Sequence, residues 1–340
     1  MNVREGAVKV NDQGGAIFLH GNHRDDRGME IHIPDDPPQS PIASIEIRDF
    51  IYSKLIALSP ATMYPSALIT GEKGLLARGL RKRHLSEYGG LPAASRERDR
   101  IARRLLKEIK DRFPQIDSLR GVPGFWEDNH GAHLWKPKDY LFPSLLVPAR
   151  DDHERIQACQ IRLPFITKKG TRYLWLSSFD LPHGSGSGGP LHFKFRRASL
   201  QHDATVLIIE GILKADVFFA LCPDHYVVGT PSVTTNHNAI IELTHGRRAV
   251  IAFDGDSYTN ETVFFQLAGL IAKRLRRERT LATTHIASWD RRAKGIDDAA
   301  LQKLPITTIS VSTWLNSLSP NFRQIAIERF SEIIAGGATG

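Results

Sequence analysis

The chain is poor in sulfur: its 340 residues include only two cysteines and three methionines. Cys159 and Cys222 are too few and too far apart for a disulfide framework, a zinc ribbon or a Cys-x-x-Cys redox pair, so oxygen or imidazole must hold any metal. No apolar run approaches the roughly 18 residues that a membrane span needs. The first fifteen residues carry no apolar stretch ahead of a small-residue cleavage site. A membrane location is therefore not expected and a cytoplasmic one is. The sequence also lacks Gly-x-x-x-x-Gly-Lys-Ser/Thr, so it encodes no P-loop motor, and it contains no internal repeat. What it has in surplus is positive charge: 45 Lys and Arg against 37 Asp and Glu, a formal net charge of +8. That surplus points toward polyanions. A length beyond about 250–300 residues predicts more than one packed unit.

Composition divides the chain into five stretches. Residues 1–44 mix Gly, Asp, Asn, His and Pro and end in Pro34-Asp35-Asp36-Pro37-Pro38-Gln39-Ser40-Pro41, which reads as a loosely ordered arm and linker. Residues 45–140 read as a basic, mainly helical region, with apolar positions at helical spacing over 45–58 and again over 95–113. Residues 141–203 read as a small antiparallel unit, with strands at 145–147, 156–163 and 172–176 and the Gly/Ser loop 184–190. From 204 to 310 strand and helix alternate, with strands expected at 206–209, 226–228, 249–253 and 284–287 and helices at 213–221, 236–243 and 262–277. This is the pattern of a parallel sheet with crossover helices. Residues 311–340 read as C-terminal helices packing on that sheet.

In a parallel sheet, functional groups gather beyond the carboxyl ends of the strands. Three acidic sites fall there: Glu210, followed by Gly211; Asp254 and Asp256, as Asp-Gly-Asp; and Asp297 and Asp298, in Lys294-Gly295-Ile296-Asp297-Asp298. Each also has a structural reading, as a helix N-cap region, a turn and a helix cap respectively. Together, carboxylates that converge repel one another unless a cation compensates them, and an all-oxygen set suits Mg²⁺ or Mn²⁺.

The order of these acids resembles the Toprim domain of topoisomerases, bacterial primases and some nucleases. Upstream segments extend the resemblance to the catalytic core of bacterial primases, and most closely to the Toprim-like proteins of phage and plasmid primase-helicases: Leu146-Val147-Pro148-Ala149-Arg150-Asp151, Gln160-Ile161-Arg162, Arg172 to Ser178, Gly229-Thr230 and Phe253-Asp254-Gly255-Asp256. The resemblance implies an α/β Toprim-type sheet preceded by the antiparallel unit and the helical basic region. It also implies Glu210, Asp254 and Asp256 as catalytic residues, and these three with Asp297 and Asp298 as ligands of Mg²⁺ or Mn²⁺. Arg150, Arg162, Arg172, Lys214, Thr230 and Lys294 would then meet nucleotide or nucleic acid. The expected activity is nucleotidyl transfer from nucleoside triphosphates on single-stranded DNA in plasmid or phage replication, with a separate helicase as a possible partner. A Toprim nuclease and a non-catalytic nucleic-acid-binding replisome module remain as alternatives. The chain departs from the primase pattern at Lys214, where primases carry an acid, with Asp216 two residues on. It departs again at Tyr258-Thr259-Asn260.

Other signals stay open at this stage. The Gly/Ser loop is either a phosphate cradle or a flexible connector. The pairs His20/His23 and His130/His133 read as surface histidines. Trp126, Trp135 and Trp175 suit either base stacking or a core. The basic residues of 78–83, 96–110 and 273–279 suit a nucleic-acid path or solvated helix faces.

Overall fold

The computed structural model describes residues 39–64, 66–137, 142–167 and 170–335, together with two short strands nearer the start. The chain divides into two units, Met1–Pro37 and Pro38–Gly340. In the first, the described residues are strands β1 (Lys9–Val10) and β2 (Ala16–Ile17), paired antiparallel. Of the arm expected over 1–44, residues 39–44 are described and lie outside any helix or strand, while the rest, with the pair His20/His23, otherwise lies outside the described residues.

The second unit opens with helix α1 (Ile45–Leu58), which buries Ile51, Tyr52, Leu55 and Ile56. Strand β3 (Gly89–Leu91) and helix α2 (Ser95–Arg112) follow. Ile101, Ala102, Leu105 and Ile109 line one face of α2 and are buried, while Arg96, Arg100, Arg103, Arg104, Lys107 and Lys110 are exposed and Arg98, partly buried, donates to the Pro92, Ala93 and Leu134 carbonyls. The hairpin β4 (Phe125–Asp128) and β5 (Gly131–Leu134) sits within the region expected to be mainly helical. Four-residue strands interrupted by turn residues leave little periodic signal. Strands β6 (Ser144–Arg150), β7 (Ile156–Arg162) and β8 (Tyr173–Trp175) join β3 in an antiparallel sheet of order β3-β6-β7-β8. The side chains of this sheet and of α1 and α2 share one apolar core.

The rest is built on β9 (His192–Phe193), β10 (Thr205–Glu210), α3 (Ile212–Leu221), β11 (Tyr226–Thr230), α4 (His237–Leu243), β12 (Arg248–Ala252), α5 (Glu261–Glu278), β13 (Thr284–Ser288), α6 (Ile296–Leu301), β14 (Thr307–Ser310), α7 (Val311–Ser317) and α8 (Pro320–Ala335). Their sheet has the order β14-β13-β12-β10-β11-β9. Strands β10 to β13 run parallel, and β9 and β14 pair antiparallel at the two edges. This is the α/β parallel sheet with crossover helices expected from the alternating pattern, and it is consistent with the Toprim-type fold that the resemblance implies.

Alternation across β10 explains the layers. Val206 and Ile208 enter a core with residues of α4, α5 and α7, whereas Leu207 and Ile209 face Ala215 and Phe218 of α3 and Ile296 of α6. Both faces are thus covered, and each fully buried Ile or Leu contributes about 1.5–3 kcal/mol. Helix α8 packs against α5, one layer out from the sheet. No helix among the described residues is long and apolar enough to cross a membrane.

Two expectations about loops and basic side chains need revision. The Gly/Ser loop is neither loose nor open: Ser185 and Ser187 are buried, the Ser178 hydroxyl donates to the Phe125 carbonyl and accepts from Ser185 N–H, and Asn236 Nδ2 donates to the Gly189 carbonyl. Arg274, within the basic run of α5, is fully buried and donates to Thr284 Oγ1, Thr244 Oγ1 and the Arg247 carbonyl. It ties α5 to the starts of β12 and β13 and is not available to a nucleic acid.

Candidate metal and nucleotide site

Strand β10 lies between β11 and β12, so the parallel register places its carboxyl end beside theirs. Glu210 is the last residue of β10. Gly211 then takes φ +99°, a left-handed conformation that favours glycine, and its N–H donates to the Thr230 carbonyl at 2.7 Å. The chain can therefore turn directly into α3 with the Glu210 carboxylate left at the tip. One strand over, Asp254 follows β12, and a short 3₁₀ turn over Gly255–Tyr258 carries Asp256. Oxygens of Glu210, Asp254 and Asp256 all lie within 4.8 Å of one another. Asp254 N–H donates to Glu210 Oε2 at 3.4 Å, linking the two tips through the backbone.

Asp297 and Asp298 arrive from the first turn of α6. Gly255 N–H donates to the Lys294 carbonyl at 2.9 Å and so joins the two loops. A Cβ at Gly295 would stand 2.6 Å from Asp297 Oδ1 and 3.1 Å from Asp254 Oδ1. The absent side chain is therefore what lets these two oxygens flank one backbone carbon. Asp297 is buried; its Oδ2 accepts from Arg78 Nη2 at 2.6 Å, and its Oδ1 has no hydrogen-bond partner among the described residues. Asp298 is half-buried beside it.

The electrostatics match this crowding. Burial, reinforced by the Asp254 and Asp256 charges, pushes the Glu210 carboxyl above its ordinary value against the opposing pull of Lys214. Burial likewise raises Asp297, with Arg78 opposing. Burial alone would lower the Lys294 ammonium, but Asp256, Asp254 and Glu210 outweigh it and hold it above its ordinary value. Lys214 contacts Asp254 Oδ2, and Lys294 lies 3.2 Å from Asp256 and 3.7 Å from Asp254. The donor set of Glu210, Asp254 and Asp256 is all oxygen, which fits a hard divalent cation, and the buried, unpartnered Asp297 Oδ1 lies outside that group, across Gly295 from Asp254. A second acidic group, Asp151, Asp152 and His153, is paired to Arg155 and Arg197 and has its charge matched locally.

The expected basic residues divide into three kinds. Arg162 is buried at the end of β7; its Nη2 donates to the Lys73 carbonyl, while Nε and Nη1 have no hydrogen-bond partner among the described residues. Arg172 Nε and Arg78 Nε are buried and unpartnered too. Burial lowers the Arg162 guanidinium, and the Arg78 and Arg172 charges act on it in the same direction. Three guanidinium groups with unused donors thus lie near one another, where a solvated strand face was the competing expectation. Arg150 is partly exposed and donates to the Glu154 carbonyl. Thr230 is fully buried and spends its hydroxyl on the Ser232 carbonyl, so it shapes the loop after β11. Lys214 and Lys294 are held by the acids.

Two residues have partners that the sequence reading did not give them. Arg78 reaches Asp297 across 219 positions, and nothing local to either residue marks that pairing. His133 is not a free surface histidine: it bridges Asp99 and Asp128, each at 2.9 Å, beneath Trp126 at a ring separation of 4.3 Å. That contact occupies Trp126, while Trp135 and Trp175 are half-buried at the edges of the apolar cores.

No protein-family model matches the chain, and neither does any curated protein. Its fold is similar to that of solved bacterial primase catalytic domains. The RNA polymerase domain of Mycobacterium tuberculosis primase DnaG superposes with a TM-score of 0.51 at 15% identity, covering 84% of this chain and 92% of that one. The Aquifex aeolicus primase structure, comprising zinc-binding and RNA polymerase domains, gives 0.51 at 12% identity, covering 87% and 70%. The primase fragment of the bacteriophage T7 primase-helicase aligns over only 49% of this chain, with a TM-score of 0.33 at 14% identity, too loosely to carry an argument about a mobile-element branch.

Proposed function

We propose that this chain is a primase-like nucleotidyltransferase that joins nucleotides on a single-stranded DNA template in plasmid or phage replication, acting in the cytoplasm with or beside a separate helicase. The observation that carries this reading is the convergence of Glu210, Asp254 and Asp256 at adjoining strand ends, next to arginines with unused buried donors. Glu210, Asp254 and Asp256, with Asp297 and Asp298 behind them, are the residues that would hold Mg²⁺ or Mn²⁺. When bound, such an ion supplies Lewis-acid activation of a primer hydroxyl and charge neutralisation of departing pyrophosphate.

The protein's own groups do the positioning. Glu210, raised above its ordinary value, is suited to take a proton from the attacking hydroxyl. Arg78, Arg162 and Arg172 offer N–H donors to phosphate oxygens, and Arg presents them in a planar fork that lysine lacks. Lys294, largely exposed at the rim, can swing between Asp256 and an incoming triphosphate. The basic side chains of α2 supply a salt-sensitive path for the template.

The test is template-dependent synthesis on single-stranded DNA with ribonucleotides, deoxyribonucleotides and either metal. The wild-type chain should make product, and Asp254→Asn should lose about a thousandfold or more of that rate, as expected for a group that acts as part of a unit. A folded wild-type chain that makes no product under any of these conditions removes the reading. Cleavage of labelled DNA with metal and no nucleotides would replace it with a nuclease.

A further inference from the structure

Lys214 occupies an electrostatically poor position. It is the third residue of α3, in the first turn, where the unsatisfied N–H groups of a helix favour an anion and disfavour a cation. It is held there nonetheless. Its stem lies against Gly211, where a Cβ would meet Lys214 Cγ and Cδ at 3.5 Å, and its ammonium is seated on Oδ2 of Asp254, a buried carboxylate. The other Asp254 oxygen points toward Gly295 and the unpartnered Asp297 Oδ1. One face of Asp254 is thus already neutralised from within the chain and the other is open.

Counting charge shows what this does. Glu210, Asp254 and Asp256 bring three negative charges, and Lys214 and Lys294 return two positive ones. Asp297 is matched by Arg78, and Asp298, half-buried beside it, leaves one further negative charge on that side. A pair of divalent ions would place four further positive charges on a centre with little anionic charge left. Lys294 is 64% exposed and free to swing away, whereas Lys214 is 24% exposed and packed.

Resting on the metal reading above, we infer that Lys214 is a built-in counter-ion that takes the place of one divalent cation, so that the centre binds a single ion between Glu210, Asp254 and Asp256. Neutralising Lys214 frees Asp254 Oδ2 and restores the second position. Neutralising Lys294, which is exposed at the rim, leaves the count unchanged.

The experiment is Mn²⁺ titration of the full chain, counting free ion by electron paramagnetic resonance. The wild-type chain, Lys214→Gln, Lys214→Met, Lys214→Arg and Lys294→Gln are compared. The wild type should bind one ion. Lys214→Gln and Lys214→Met should gain a second or hold the first about tenfold more tightly, a change of the size seen when groups around metal ligands are altered. Lys214→Arg and Lys294→Gln should retain the wild-type count. Two ions on the wild-type chain overturn the inference without recourse to any variant, as do Lys214→Gln and Lys214→Met chains that titrate like wild type. Mn²⁺ on none of the proteins overturns the metal reading itself, and this inference with it.

Discussion

Helix α3 carries two charged residues two positions apart that serve opposite ends. Lys214 faces the open acidic centre, while Asp216 enters a closed network in which every polar atom is used. Asp216 Oδ1 accepts from His192 Nε2 at 3.0 Å and from Lys194 Nζ at 2.9 Å, and Oδ2 accepts from the Tyr88 hydroxyl at 2.9 Å. His192 Nδ1 in turn accepts from Arg150 N–H, which fixes the tautomer with its proton on Nε2 and keeps the ring neutral, in line with the lowering of its pKa by burial. Burial alone would raise the Asp216 carboxyl, but Lys194, His192 and their hydrogen bonds hold it well below its ordinary value. Glu210, half-buried beside like charges, is pushed the other way. A carboxylate with complete partners stabilises the joint between α3, β9 and the antiparallel unit. Carboxylates with incomplete partners are what a cation and a substrate need.

The sharpest way to break this contrast is Asp216→Asn. It keeps the shape but leaves Lys194 buried without its counter-charge, and it should cost about 3 kcal/mol in denaturant unfolding. Lys194→Met on the same background should recover part of that loss, because the stranded charge is then gone. The pH signature follows from the sign of the shift. A carboxyl whose folded pKa is depressed contributes stability above its unfolded value of 3.8 and loses it as pH falls through the folded value. The gap between wild type and variant should therefore hold from neutral pH down to that region and close below it. A variant as stable as wild type would make the network ornamental.

That network also marks the boundary of what the chain shows before folding. The alternation after residue 204 and the acids after three of the four parallel strands are local, so the parallel sheet and its three acidic tips are legible in sequence, and Lys214 stands out once the primase resemblance is drawn. The partners of the acids are not. Arg78, bound to Asp297, and Tyr88, His192 and Lys194, bound to Asp216, come from other segments of the chain, and no periodicity there names the acid each one meets. The edge strands β9 and β14 escape for a related reason: two and four residues are too short to show a period. Thr230, the last residue of β11, turns its hydroxyl inward to the Ser232 carbonyl, which the motif match alone does not reveal.

Glu210→Gln sharpens the comparison from the other side. A carboxyl whose folded pKa is raised destabilises the fold once it ionises, and it contributes nothing below its unfolded value of 4.5, where both states are protonated. The variant should therefore be more stable than wild type at neutral pH by about 1 kcal/mol, with the difference vanishing in acid, while synthesis is lost. Activity of the wild type should fall as pH drops through the raised Glu210 value. Gain of stability together with loss of activity separates this acid from Asp216, where replacement costs stability. Paired unfolding curves at neutral and acid pH decide the matter, and a destabilised Glu210→Gln would place Glu210 among the structural acids.

The smallest effect lies at the hairpin, where His133 sits between two acids as Lys214 and Lys294 sit among three. Burial alone would lower the His133 imidazole, but the hydrogen bonds its ring donates to Asp128 and Asp99 outweigh it and raise its pKa. A cationic His133 contributes stability that is complete below its unfolded value of 6.5 and is lost as pH rises through the folded value. His133→Gln should therefore cost about 0.5–1 kcal/mol in mildly acidic buffer and less at alkaline pH, with Mn²⁺ binding untouched. The ring's stacking on Trp126 is lost at every pH, so only the difference between the two buffers reports the charge. If the cost is the same in both, His133 is neutral and bridges Asp99 and Asp128 by hydrogen bonding alone. In that case the resemblance between the hairpin and the acidic centre ends at geometry, because only the centre keeps cations for their charge.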